Sequence, residues 1–330
     1  MDIWGLLASI GISFAASFLF AYILFWLDLY EKEPFLLLGG VFMWGVVVAA
    51  GGAFIINTII GLGVFVVTGS EAATNLTTSA VIAPVIEEIL KGFAVVLIFL
   101  IFRHEFDSIL DGIVYAGVTA LGFAAAENAF YIYTYGFAED GWQGFRNLAF
   151  IRLILVGWQH PFYTAFVGIG LALARLNRNL IVKLVTPALG LGAAIGAHAL
   201  HNILAELISG DGGILITTAL DWIGWFLMLD FIFLVMFVER HKIKKYLQPE
   251  IEKGTLTKAQ YENAYSIFTI MGERIKAIFQ GKYQKTTRFY RRAAELALKK
   301  GLKDRLGEEE GKGAMIQELR KQVQELSNAV

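Results

Sequence analysis

The chain has 330 residues, of which 56% are hydrophobic and 17% charged, and its mean hydropathy is +0.59. Soluble globular chains carry about one quarter charged residues, so this composition argues against an ordinary soluble enzyme. There is no cysteine, which excludes disulfides, iron–sulfur clusters and thiolate zinc sites, and the net charge of -1 conceals -10 over residues 1–239 and +9 over residues 240–330.

Seven apolar stretches follow in chain order, at about 3–27, 35–68, 79–102, 112–135, 151–174, 181–209 and 213–238. Each reaches the length of about 20 residues that a membrane helix needs. The chain therefore reads as all-α, a polytopic transmembrane helix bundle of about seven spans over residues 1–239. A basic, helical cytoplasmic tail follows over residues 240–330. The first stretch opens on Asp2 rather than a basic segment and is a full span long, so it is not expected to be a cleaved signal peptide. The second exceeds one upright span and is expected to tilt, bend at Gly51-Gly52 or leave the bilayer. On this reading Lys32, Arg103, Arg175, Arg178, Lys183 and the tail fall on one side, with Arg146 and Arg152 on the other. The positive-inside rule then puts the N-terminus outside and the C-terminus in the cytoplasm.

Ionisable residues interrupt these stretches. The third contains Glu87, Glu88 and Lys91, spaced so that Lys91 can partner either carboxylate along one helix. The fourth contains Glu127, the fifth His160, and the sixth His198, His201 and Asn202, with His198 and Asn202 on one face. A charge at mid-membrane costs about 2.5–3.5 kcal/mol even on a lenient scale, so such residues are expected to have partners and purposes. At about 1.5 Å per residue, Glu87, Glu127 and His160 lie about 12–13 Å, and Asn202 and His198 about 10 and 16 Å, from outer ends near Ser79, Tyr135, Ile151 and Ser209. Successive spans run in opposite directions yet bring these groups to one level, and one shared site is the economical explanation. The Gly192–Gly196 spacing is expected to let helices approach closely there.

Carboxylates, imidazoles, a lysine and an amide form a set suited to activating water. A buried glutamate can act as general base while His198 and Asn202 donate to a developing oxyanion. Alternatively two histidines and a glutamate could hold Zn²⁺, leaving a second glutamate as base. There is no H-E-x-x-H, no serine-centred elbow and no phosphate-cradling loop. Other roles compete: a Glu/Lys pair can be a structural ion pair, and buried histidines can relay protons in a transporter. His201 reads as a packing residue, and Tyr131, Tyr133 and Tyr135 as an interfacial belt. A proton-coupled transporter or a noncatalytic scaffold is the alternative function, although no inverted repeat supports a transporter. Asp221 and Asp230 carry no assigned role.

The residues resemble the PrsW family of intramembrane proteases. Ala83-Pro84-Val85-Ile86-Glu87-Glu88-Ile89-Leu90-Lys91 is similar to that family's A-P-x-x-E-E-x-x-K, and Gly122-Phe123-Ala124-Ala125-Ala126-Glu127-Asn128 to its G-F-x-x-x-E-N. His160-Pro161 with Thr164 and Gly168 resembles a third motif, His198-Ala199-Leu200-His201-Asn202 an H-x-x-x-N, and Asp28-Leu29-Tyr30-Glu31-Lys32-Glu33-Pro34 an acidic loop after the first helix. The resemblance covers about residues 1–240 in order. It implies a protease cutting a membrane-anchored protein, in some members an anti-sigma factor in its extracytoplasmic part. It also implies kinship with CAAX prenyl peptidases, whose E-E-x-x-x-R and F-x-x-x-H differ here at Lys91 and Glu127. The candidate catalytic set is Glu87, Glu88, Lys91, Glu127, His160, His198 and Asn202. Of the two mechanisms zinc is favoured, with Glu127, His160 and His198 as ligands and Glu87 or Glu88 as base. The expected partners are that substrate and the lipid bilayer, not nucleic acid.

In the tail, stretches near 257–280, 286–306 and 314–327 read as amphipathic or charged helices. The cluster Arg288, Arg291, Arg292, Lys299 and Lys300 is expected to face water or anionic lipid headgroups.

Overall fold

The computed structural model describes residues 2–28, 30–208, 211–308 and 311–330, with no strand among them. Leu29 of the acidic loop and Ser209, the expected outer end of the sixth stretch, lie outside the described residues. The helices are α1 (Ile3–Leu27), α2 (Phe35–Trp44), α3 (Ala50–Thr68), α4 (Glu71–Thr77), α5 (Ala83–Ile101), α6 (Ile109–Tyr131) and α7 (Ala138–Ala149). They continue as α8 (Gln159–Arg175), α9 (Leu180–Leu207), α10 (Asp211–Glu252), α11 (Lys258–Ala264), α12 (Ile267–Phe279), α13 (Tyr283–Leu306) and α14 (Lys312–Ser327). Among the described residues, five helical runs are long and apolar enough to cross a membrane: Ile3–Leu27, Phe35–Thr68, Ile109–Arg175, Leu180–Leu207 and Gly213–Glu252. The third joins α6 to α8 through α7, where Gly141 (φ 55°) turns the chain. α5 carries Glu87, Glu88 and Lys91 inside its 19 residues and stands outside that set.

α6 is the axis of the bundle, and every residue from Leu110 to Ala125 is buried. α1 turns the stripe Gly5, Ser9, Ser13 and Ser17 inward. These are small residues at every fourth position, so the helix backs closely onto its neighbours although its other faces are apolar. Where α6 crosses α8, a Cβ on Gly112 would stand 2.3 Å from the Gly168 carbonyl oxygen. Where α8 crosses α9, one on Gly170 would stand 2.4 Å from that of Thr186, beside Gly190. Only glycine permits backbones this close. These two crossings hold α6, α8 and α9 together.

Several local expectations need correction. The long second stretch widens into a π-helical turn at Gly45–Ala49 and not at Gly51-Gly52. The cause is contact with α6, because a Cβ on Gly45 would lie 2.1 Å from the Thr119 carbonyl oxygen. The fifth stretch does not run as one helix from Ile151: a π-helical turn covers Phe150–Leu155 and α8 begins at Gln159. Pro161 suits the first turn of a helix, where its missing N–H costs nothing, so His160 sits at the start of α8 and not deep within a helix. Gly192 and Gly196 face open space, since a Cβ on either would have nothing within 4 Å, so the close α9 crossing belongs to Gly190.

Beyond the bundle, α10 continues unbroken through residues 239–240. Its Ile243 and Leu247 join Leu256, Ile270, Phe289, Tyr290, Leu296, Leu319 and Val323 in a second apolar core, together with Tyr30 from the loop after α1. The stretch expected at 257–280 divides at Tyr265-Ser266 into α11 and α12. Lys299 ties the tail to the bundle through Asp107, Glu31 at 3.6 Å and the His104 carbonyl oxygen at 2.7 Å.

Candidate active site

α5 supplies the floor of the site. Glu88 and Lys91 are both fully buried, and Lys91 Nζ lies 2.5 Å from Glu88 Oε1. The same ammonium reaches His160 Nδ1 at 3.3 Å, stands 3.8 Å from Glu87 Oε2 and lies over the Phe123 ring at 4.4 Å. Glu88 is saturated: its Oε1 also meets His198 Nδ1 at 3.0 Å, and its Oε2 accepts from Thr164 Oγ1 at 2.8 Å. A fully buried carboxylate held by three partners is a fixed anion that orients its neighbours.

The imidazoles are placed by these partners. Donation of His198 Nδ1–H to Glu88 leaves His198 Nε2 as an acceptor, 3.8 Å from Glu87 Oε2. Its ring stacks on Tyr163 at 5.0 Å and meets the His160 ring edge-on at 5.3 Å. His160 accepts from Lys91 at Nδ1 and donates Nε2–H to Glu127 Oε2 at 2.9 Å. Glu127 forms the open side, its side chain 19% exposed, and Arg152 Nη2 meets the same Oε2 at 2.5 Å. Arg152 also donates to Asn128 Oδ1 at 2.7 Å and lies over the Tyr131 ring at 4.2 Å.

Six of the seven candidate residues thus meet across α5, α6, α8 and α9. Asn202 does not join them. Its amide donates to the Ser79 carbonyl oxygen at 2.7 Å, in the π-helical turn Thr78–Ile82 that leads into α5. Such a turn leaves carbonyls without their regular partner, and Asn202 satisfies one. Sequence reasoning missed Arg152, which it counted as a loop cation, and a polar network behind His198. There Asp221 of α10 lies 3.0 Å from His201 Nδ1, accepts from Gln159 Nε2 at 2.7 Å and from Tyr163 OH at 3.3 Å. A buried acid in an apolar run was the available signal for Asp221. Asp230 is exposed.

The donor set can be tested against a divalent metal. Glu87, His160 and His198 each offer a ligand atom, all within 4.8 Å of one another, and all three residues are buried. Glu87 Oε2 is a buried oxygen without a hydrogen-bond partner. Two imidazoles and a carboxylate whose buried oxygen lacks a hydrogen-bond partner suit a zinc-type ion. Glu127, expected among the ligands, is instead engaged by Arg152 and His160.

A family model described as PrsW family intramembrane metalloprotease matches residues 33–238. Protease PrsW of Oceanobacillus iheyensis is 33% identical over 122 residues, covering 37% of this chain and 51% of that protein. Protease PrsW of Geobacillus kaustophilus is 30% identical over 142 residues (43% and 55%), and that of Bacillus subtilis 27% over 161 residues (48% and 62%). The chain therefore spans between half and two thirds of the length of these curated relatives. No solved structure matches significantly.

Proposed function

Since the chain belongs to the PrsW family of intramembrane metalloproteases, we propose that it is a multi-pass membrane endopeptidase that hydrolyses a peptide bond of a membrane-anchored protein. The observation that carries this reading is the convergence of Glu87, His160 and His198, with Glu87 Oε2 buried and free of any hydrogen bond among the described residues. These three residues would hold the metal, which supplies Lewis acidity for polarising a carbonyl and acidifying water. Glu127 is the general base. Arg152 and His160 both engage its Oε2, which leaves Oε1 for a water proton. This exchanges the sequence-derived roles of Glu87 and Glu127.

Glu88 is a positioning residue that fixes His198 through Nδ1, as Thr164 and Lys91 fix Glu88. Lys91 has two duties. It neutralises Glu88, and by giving up its contact with His160 Nδ1 and turning wholly to Glu88 it would free that nitrogen for ligation. The surplus of 20 Lys+Arg over 11 Asp+Glu in residues 240–330 supports a cytoplasmic tail. Cleavage would then fall near the extracytoplasmic face.

A metal-free reading has one observation in its favour: the Lys91 ammonium already stands 3.8 Å from Glu87 and 3.3 Å from His160, where a cation is needed. Purified protein separates the two. Stoichiometric zinc that leaves with chelator together with cleavage, and restores it on return, supports the metal reading. Full cleavage by demonstrably metal-free protein ends it.

A further inference from the structure

α12 has two apolar faces. Ile270 and Ala277 point into the tail core at 5% and 3% exposure. On the opposite side Phe268 and Phe279 are 88% and 86% exposed, and Ile275 and Ile278 are 55% and 57% exposed. At about 100° per residue, Phe268, Ile275 and Phe279 fall within a narrow stripe, widened on one edge by Met271 and Ile278. Arg274 flanks the stripe on one side and Lys276 on the other. A contiguous apolar stripe on a water-exposed helix would be costly to leave bare.

The stripe lies where the chain leaves the bilayer. Tyr30, three residues beyond the end of α1, is buried in the tail core and donates from its hydroxyl to the Tyr265 carbonyl oxygen at 3.4 Å. Tyr265 directly precedes the cap of α12. Lys32, in the same loop, lies over the Phe25 ring of α1 at 4.5 Å. Arg274 and Arg291 each have a buried Nε with no hydrogen-bond partner among the described residues. Burial pulls the Lys32 ammonium down to about 8, Asp28 opposes that, and Arg291 and Arg274 add to it, so the three cations share one neighbourhood.

We propose that α12 is an interfacial anchor in the headgroup layer of the tail-side leaflet, with Phe268, Ile275 and Phe279 at the acyl boundary and Arg274, Lys276 and Arg291 on anionic phospholipid headgroups. An apolar stripe edged by cations is the pattern of helices that lie in a membrane surface. Charge complementarity selects the lipid, because the tail carries +9.

The absence of cysteine allows a direct test on the full chain. Ile275→Cys is spin-labelled after reconstitution into phosphatidylcholine vesicles containing phosphatidylglycerol, and exposed Gln324→Cys of α14 serves as the aqueous control. The label at 275 is expected to collide with oxygen more than with a water-soluble nickel complex, and the label at 324 the reverse. Each basic residue near an anionic surface contributes about fivefold to association. Adding Arg274→Gln and Lys276→Gln should therefore raise nickel access at 275, and omitting phosphatidylglycerol should do the same. Equal nickel access at 275 and 324 in anionic vesicles overturns the proposal. So does dipolar broadening between labels at 275, which would mean that a second copy covers the stripe.

Discussion

Glu87 and Glu127 are both carboxylates beside His160 or His198, yet their surroundings differ. Glu87 Oε2 is buried without a hydrogen-bond partner among the described residues, whereas Glu127 is held by Arg152. With Glu87 holding the metal as proposed, Glu87→Gln keeps the shape but removes the ligand charge. Cleavage should fall by about two orders of magnitude or more, with loss of bound metal. Glu127→Gln should lower cleavage comparably while metal content is retained, and metal analysis beside a cleavage assay distinguishes the pair. Glu88→Ala should act differently again. Lys91 and His198 would lose their common anion in a buried setting, where stranding a charge costs about 3–5 kcal/mol. Thermal unfolding in detergent should therefore drop more for Glu88→Ala than for Glu87→Gln.

Helix crossings bring these residues together from four separate elements. Gly168 of α8 lies against Gly112 of α6, and a Cβ there would sit 2.0 Å from the Gly112 carbonyl oxygen. Gly168→Leu should force α6 and α8 apart and separate His160 from Glu127, costing about 1–3 kcal/mol or more of overpacking. A thermal shift together with lost cleavage would bear this out, and a fully active Gly168→Leu protein would contradict the geometry. The helices themselves were legible in the chain because apolar runs of this length are stable only in a bilayer or a large core, and a charge within one needs a partner. The clustering of six candidate residues was legible for the same reason. The division of labour between Glu87 and Glu127 was not. It depends on Arg152, which stands in a π-helical turn that hydropathy reads as the start of a span. Asn202 looked like a donor to the reaction because nothing in sequence shows that α5 is preceded by a turn with an open carbonyl at Ser79.

The attachment of tail to bundle was also invisible, since Lys299 and Asp107 are 192 residues apart. Burial alone would lower the Lys299 ammonium, but Glu31 and Asp107 outweigh it and hold it above the ordinary lysine value. A raised lysine value stabilises the docked tail at every pH below the unfolded value of about 10.4, and that stability is lost only as pH rises through the higher folded value. Burial holds Glu31 well above the usual carboxylate range, so its proton uptake on mild acidification favours the folded state rather than opposing it. The tail should therefore stay docked from about pH 7 to pH 5. Limited proteolysis across that range checks this, and early cleavage within α13 at pH 5 would contradict it. Lys299→Ala leaves Asp107 buried without its ammonium and should cost about 3–5 kcal/mol, read as faster tail proteolysis at neutral pH.

α10 runs 42 residues from Asp211 to Glu252, with Asp221 behind the site near one end and Glu250 clasped by Arg320 at 2.7 Å near the other. At about 1.5 Å per residue these two acids are about 44 Å apart on a single helical rod. Were the rod to pivot within the bilayer, movement of the tail would be carried to the site. A pull on the tail that tilts it by a few degrees would shift Asp221 by about an ångström, the scale on which a hydrogen bond is made or broken.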